Sequence, residues 1–221
     1  TYKGCLIGAL RSDVTVFSFY ANKTMTTGEG GMIVTRHADL ADRMRIMRLH
    51  GINRDAFDRF RSEKPAWYYE VVAPGFKYNL TDIASAIGIH QLKRLPGFLA
   101  RRQYLAKRYF DALADLPLTL PADALAGDDH SWHLYVVRVT DSARMNRDEL
   151  IQFLADKKIG TSVHYLPLHR HPYWCDRYNL TAEMFPQSDK AYQTMLSIPL
   201  YTSMTDEQQD RIIQALYEAI N

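Results

Sequence analysis

Two short apolar runs, at 14–19 and 32–35, flank a polar loop that ends in glycine, and this pattern constrains the chain more than any other. Val14-Thr15-Val16-Phe17-Ser18-Phe19 is rich in β-branched and aromatic residues, as a buried strand should be. Met32-Ile33-Val34-Thr35 reads as a second short strand. The loop between them closes with Gly28, Gly30 and Gly31, residues free to adopt positive φ. The pattern predicts a hairpin-like unit that holds Lys23 just off a strand end.

The rest of the chain sets the fold class. Asp39 to His50 reads as a helix with Leu40, Met44 and Met47 on one face. Residues 51–74 are polar, aromatic and weakly periodic. Thr81 is a good N-cap for a helix over 82–92 whose small, apolar character suits deep burial or a subunit interface. Pro96-Gly97 predicts a break and a soft domain boundary near 96, followed by a long helix over 98–115. Further on, 132–139 reads as a strand, Asn146 opens a helix to about 158, 159–165 reads as a strand and 188–196 as a helix. Thr205-Asp206-Glu207-Gln208 is a capping box for a last amphipathic helix ending near 220. Alternating strands and helices argue for an α/β or α+β chain.

Composition excludes several function classes. With 221 residues, 47% apolar and 24% charged, the chain can bury a core and is no disordered tract. A net charge of +2 is no footprint for nucleic acid. No apolar run approaches the roughly 20 residues of a membrane span, and no secretory signal pattern opens the chain. Cys5 and Cys175 cannot make a disulfide framework and fit a reducing compartment. The chain opens on Thr1, and its first methionine is Met25, which reads as a missing upstream part.

Lys23 is the sharpest chemical candidate. A lysine fixed in a partly dehydrated place is the kind that supplies a neutral, nucleophilic amine; the alternative is a solvated loop lysine. Ser18, five residues earlier, could donate to an anionic group. Asn79, just ahead of a helix N-terminus, is placed for a phosphate or for an Asx turn. His164, His169, His171 and Cys175 match no standard zinc spacing, so no metal is expected. His164 at a strand end suits a structural role or a hydrogen bond within a pocket.

Together these residues carry a family likeness. Ser18-Phe19-Tyr20-Ala21-Asn22-Lys23 and Gly28-Glu29-Gly30-Gly31 resemble the S-F-x-x-x-K-x-x-x-x-G-E-G-G signature of the DegT/DnrJ/EryC1/StrS aminotransferases. Further matches are Pro74-Gly75-Phe76-Lys77-Tyr78-Asn79-Leu80-Thr81-Asp82, Gly160-Thr161-Ser162-Val163-His164-Tyr165 and Ser197-Ile198-Pro199-Leu200. Within the family, Val72 to Leu80, Trp132-His133-Leu134 and 159–164 look most like enzymes that form UDP-4-amino-4-deoxy-L-arabinose. Tyr20 departs from them, standing where that subgroup has histidine.

The resemblance implies a pyridoxal 5'-phosphate enzyme of fold type I, a homodimer with active sites at the subunit interface, in the cytoplasm. It implies that residues 1–96 are the end of the large αβα domain, that 97–221 are the small α+β domain, and that the N-terminal part is absent. Lys23 matches the Schiff-base lysine, which also carries protons between cofactor and substrate carbons. The family's 3-dehydrases have histidine there. Ser18 matches a cofactor-phosphate ligand, Asn79 an asparagine reaching the neighbouring subunit's cofactor phosphate, and His164 and Tyr20 positions near the sugar nucleotide. The implied reaction transfers an amine from L-glutamate to a nucleotide-linked 4-keto sugar for lipopolysaccharide or other surface polysaccharide. The competing readings are a folded fragment that packs or dimerises without activity, and a metal-binding module.

Overall fold

The structure is a computed structural model that describes residues 1–53 and 67–220. The chain divides into two compact units, one of residues 1–95 and 125–129, the other of 96–124 and 130–221. Most of the irregular segment expected at 51–74 lies outside the described residues. No helix among the described residues is long and apolar enough to cross a membrane.

The first unit is built on the expected hairpin, but its strands are not buried as expected: Val16 is 70% exposed, and Val14, Met32, Ile33 and Val34 are exposed as well. Strands β1 (Val14–Ser18) and β2 (Gly31–Thr35) pair antiparallel in a register that sets Ser18 opposite Gly31. Gly31 is required there, because a Cβ would stand 2.9 Å from the Phe17 carbonyl oxygen. Helix α1 (Ala38–Met47) follows. Beyond it two backbone segments cross so closely that only glycine fits. A Cβ on Gly51 would lie 1.8 Å from the Ala73 oxygen, and one on Gly75 2.0 Å from the Gly51 nitrogen. The crossing is sewn by His50 N–H to Phe76 O (2.9 Å), Phe76 N–H to Met47 O (2.7 Å) and Tyr78 N–H to Arg48 O (2.8 Å). It delivers Asn79 to the start of α2 (Asp82–Leu113), where Thr81 Oγ1 caps Ala84 N–H at 3.2 Å.

Helix α2 corrects two expectations. It runs through Pro96 without ending, since proline removes one backbone donor but leaves the chain in helical φ. Its opening turns are apolar as read, and Ile83, Ile89 and Leu92 are exposed on this chain, which overturns deep burial but not the alternative of a subunit interface. Hydrophobicity marks a face and does not say what lies against it.

The second unit is a three-stranded antiparallel sheet in the order β3 (Leu118–Thr119), β4 (Tyr135–Val139), β5 (Met195–Ile198). Helices α3 (Arg147–Asp156), α4 (Pro172–Tyr178), α5 (Pro186–Thr194) and α6 (Asp206–Ile220) complete it. Leu105, Tyr109 and Leu113 of α2 share a core with Tyr135, Val137, Leu150, Leu154, Leu196, Leu216 and Ile220. Both capping boxes form. Asn146 Oδ1 accepts from Glu149 N–H and Glu149 Oε2 from Asn146 N–H, while Thr205 and Gln208 do the same ahead of α6.

Three element boundaries differ from expectation. Trp132 sits at φ +46°, so the strand begins only at Tyr135. Residues 159–165 form no strand; one bridge, Ser162 to Ser197, is all that pairs. The helix read over 188–196 stops at Thr194, and Leu196 belongs to β5. Pro199 holds Ile198 in extended backbone, and the preceding residues join the sheet instead of the helix.

One buried carboxylate ties down α5. Asp189 accepts from Arg170 Nε at 2.5 Å and Nη2 at 2.9 Å, from Gln193 Nε2 at 2.6 Å, and lies 3.4 Å from His169 Nε2. The Arg170 hydrogen bond holds its carboxyl below the ordinary carboxylate range. A depressed native pKa contributes stability that is fully present above the unfolded value, near 3.9, and is lost as pH falls through the native one. Thermal melts between pH 5 and 3 should therefore show steep destabilisation in the native protein and a shallower slope in Asp189→Asn. Equal slopes would contradict this.

Candidate active site

Phe19 closes the loop that carries the candidate lysine. Its N–H donates to Gly30 O at 2.8 Å, and its carbonyl accepts from Thr27 N–H at 2.9 Å and Thr26 Oγ1 at 3.0 Å. Thr26 N–H reaches Gln91 Oε1 of α2 at 3.3 Å. Thr27 is buried and donates its hydroxyl to Glu29 O at 2.7 Å. Gly30 lies against it, so closely that a Cβ would stand 2.4 Å from Thr27 Oγ1. The glycines therefore let a buried threonine brace the turn.

Inside that frame Ser18, Tyr20 and Lys23 are linked through the backbone. Ser18 Oγ accepts from Tyr20 N–H at 3.3 Å, and Tyr20 O accepts from Lys23 N–H at 3.0 Å. Ser18 ends its strand exposed, Tyr20 is exposed, and Lys23 is half-buried. The Ser18 hydroxyl proton can still donate outward, since its oxygen is the atom engaged by Tyr20. A hydroxyl donor and an amine five residues apart on one braced hairpin suit a phosphate-bearing carbonyl compound.

Asn79 lies elsewhere in the same unit, in a groove of about 1210 Å³ also lined by Glu29, Gly30, Arg48 and Thr81. Ser18, Tyr20 and Lys23 do not line that groove. Lys77 Nζ donates to Asn79 Oδ1, which turns the amide so that Nδ2 is left as the donor. An amide donor beside an ammonium group matches the chemistry of an anion ligand.

His164 belongs to the second unit, where its Nδ1 lies 2.8 Å from the Ser197 hydroxyl and its ring meets Tyr165 edge-on at 4.8 Å. The histidine–cysteine cluster does not converge. His169 turns to Asp189, His171 Nε2 to Leu166 O, and Cys175 Sγ to His169 O. Among the described residues no three His, Cys, Asp or Glu side chains could hold a metal ion. Residue reading missed Thr27, Gln91 and Ser197. The only signal for Ser197 was its motif, because its partner lies 33 positions away.

The comparisons with known proteins agree with one another. Residues 1–217 match the DegT/DnrJ/EryC1/StrS aminotransferase family. The spore coat polysaccharide biosynthesis protein SpsC of Bacillus subtilis is 42% identical over all of this chain, which covers 57% of that protein. Spr1654 of Streptococcus pneumoniae in its PMP form superposes with a TM-score of 0.88 at 32% identity, covering 98% of this chain and 55% of that one; it is also solved in a PLP form. Streptomyces venezuelae DesV, solved with a ketimine intermediate, gives 0.83 at 31% identity over 98% of this chain and 54% of that one. The chain thus spans about half the length of the relatives it matches.

Proposed function

This chain belongs to the DegT/DnrJ/EryC1/StrS aminotransferase family, and on that premise we propose that the protein it represents is a pyridoxal 5'-phosphate-dependent sugar aminotransferase. The observation that carries the reading is Lys23, half-buried and held with Ser18 on one braced hairpin. In this reading residues 1–96 are the end of the large cofactor-binding domain and 97–221 the small domain.

The donor set fits the cofactor. The Ser18 hydroxyl and the Asn79 amide would hold its phosphate, with Asn79 serving the neighbouring subunit of a homodimer. When bound, the cofactor supplies the electron sink that transamination requires. Lys23 Nζ takes the proton from the carbon bearing the amine and returns one to the carbon that becomes aminated. Tyr20 and His164 orient the sugar nucleotide. The substrate is a nucleotide-linked 4-keto sugar and the donor L-glutamate. The product is a 4-amino sugar for surface polysaccharide, made in the cytoplasm; the similarity to a spore coat polysaccharide protein supports this. UDP-4-amino-4-deoxy-L-arabinose, a lipopolysaccharide sugar, is the first candidate, with Tyr20 the position at which specificity would diverge.

The test is incubation of the complete protein with L-glutamate and a panel of UDP- and dTDP-linked 4-keto sugars. Product mass spectra should show one oxo group replaced by an amine. No product from any member, with no change in the visible spectrum on adding glutamate, would refute the assignment.

A further inference from the structure

We propose that Ser197 is the positioning residue for His164 and fixes which imidazole nitrogen faces the substrate. This rests on the reading of His164 as a sugar-nucleotide contact. The motif Ser197-Ile198-Pro199-Leu200 has no other role in the reaction described above.

The geometry comes from the edge of the small sheet. Ser197 sits in β5 between the core residues Leu196 and Ile198 and is 6% exposed. Its backbone pairs with Ser162 in both directions, at 3.2 and 2.7 Å. That bridge lays the segment carrying His164 alongside β5, two residues beyond the pairing. The Ser197 hydroxyl then meets His164 Nδ1 at 2.8 Å. Tyr165 meets the imidazole edge-on, and the hydroxyl holds one of its nitrogens.

The direction of the bond follows from burial. A buried hydroxyl proton with no acceptor costs the desolvation penalty of an unmade hydrogen bond. Nδ1 is the one partner recorded for this hydroxyl among the described residues. Ser197 therefore donates and Nδ1 accepts, which in the neutral form of the ring places its proton on Nε2. His164 thus presents an N–H donor, which matches an acceptor oxygen of the sugar or its diphosphate. An alanine at 197 would fill nearly the same space in the strand and lose only this control.

The experiment uses the complete protein, deuterated and labelled with ¹⁵N-histidine, with His164 assigned through His164→Gln. Long-range ¹H–¹⁵N spectra should show the Nε2–H form in the native protein and a mixture of both forms in Ser197→Ala. Ser197→Thr, which keeps the hydroxyl, should restore the native pattern. In kinetics Ser197→Ala should raise KM for the keto sugar about tenfold, roughly the worth of one well-placed hydrogen bond. KM for glutamate should stay as it was, and the melting temperature should fall by no more than a few degrees, the cost of one hydrogen bond. An unchanged tautomer in Ser197→Ala, or a parallel rise of both KM values with lost stability, would overturn the proposal. If the protein transaminates no sugar, the assigned function fails and the tautomer measurement still decides the role of Ser197.

Discussion

Replacing Lys23 with alanine should lower transamination by about 10³-fold or more while leaving the fold intact. Positioned proton transfer alone is worth about 10²–10⁴-fold, and the same amine is asked to act as nucleophile. The substitution is structurally mild. Lys23 is in a loop, and its backbone N–H to Tyr20 O is a bond that any residue would keep. Lys23→Arg separates chemistry from charge. A guanidinium stays protonated at any working pH and cannot carry protons as a neutral amine can. It should fail as completely as alanine. Retention of more than a tenth of the activity in either variant, measured by the glutamate half-reaction, would contradict the assignment.

The second large effect concerns the second unit. Arg102, 5% exposed, donates from one guanidinium nitrogen to the carbonyls of Trp132 (2.8 Å), His133 (3.2 Å) and Leu200 (3.2 Å). Burial lowers its pKa, and a guanidinium starts high enough to stay charged. It joins two stretches that the sequence presents separately, Trp132-His133 ahead of β4 and the Ser197–Leu200 motif. Arg102→Ala would take the arginine donor from three carbonyls, two of them in buried contacts, and leave a cavity beside α2. The expected cost is about 3 kcal/mol, read as a shift in the denaturant midpoint by circular dichroism. Arg101→Ala, at a partly exposed neighbour that bonds Met204 O and Asp206, should cost less than half as much. Equal losses at 101 and 102 would argue against the buried staple.

The hairpin that carries Lys23 was legible because its signals are local. The hairpin follows from β-branched runs around glycines, while the register that sets Ser18 opposite Gly31 appears only in the strand pairing. Both capping boxes were legible for the same reason, their partners lying three residues apart. What was not legible depends on distant partners. β5 reads as the end of a helix until its pairing with Tyr135–Arg138 is known. The role of Ser197 needs His164, and that of Arg102 needs carbonyls about 30 and 98 residues away. The continuity of α2 through Pro96 is a third case, since the helix on both sides outweighs one missing donor.

On the proposed function Lys23 binds the cofactor covalently. The direct measurement is borohydride reduction of the complete protein loaded with pyridoxal 5'-phosphate, followed by digestion and peptide mass mapping. The reading predicts that the reduced pyridoxyl group is found on the peptide containing Lys23, with loss of the visible cofactor band. A label on any other lysine, or a cofactor that reduction leaves removable by dialysis, would contradict it.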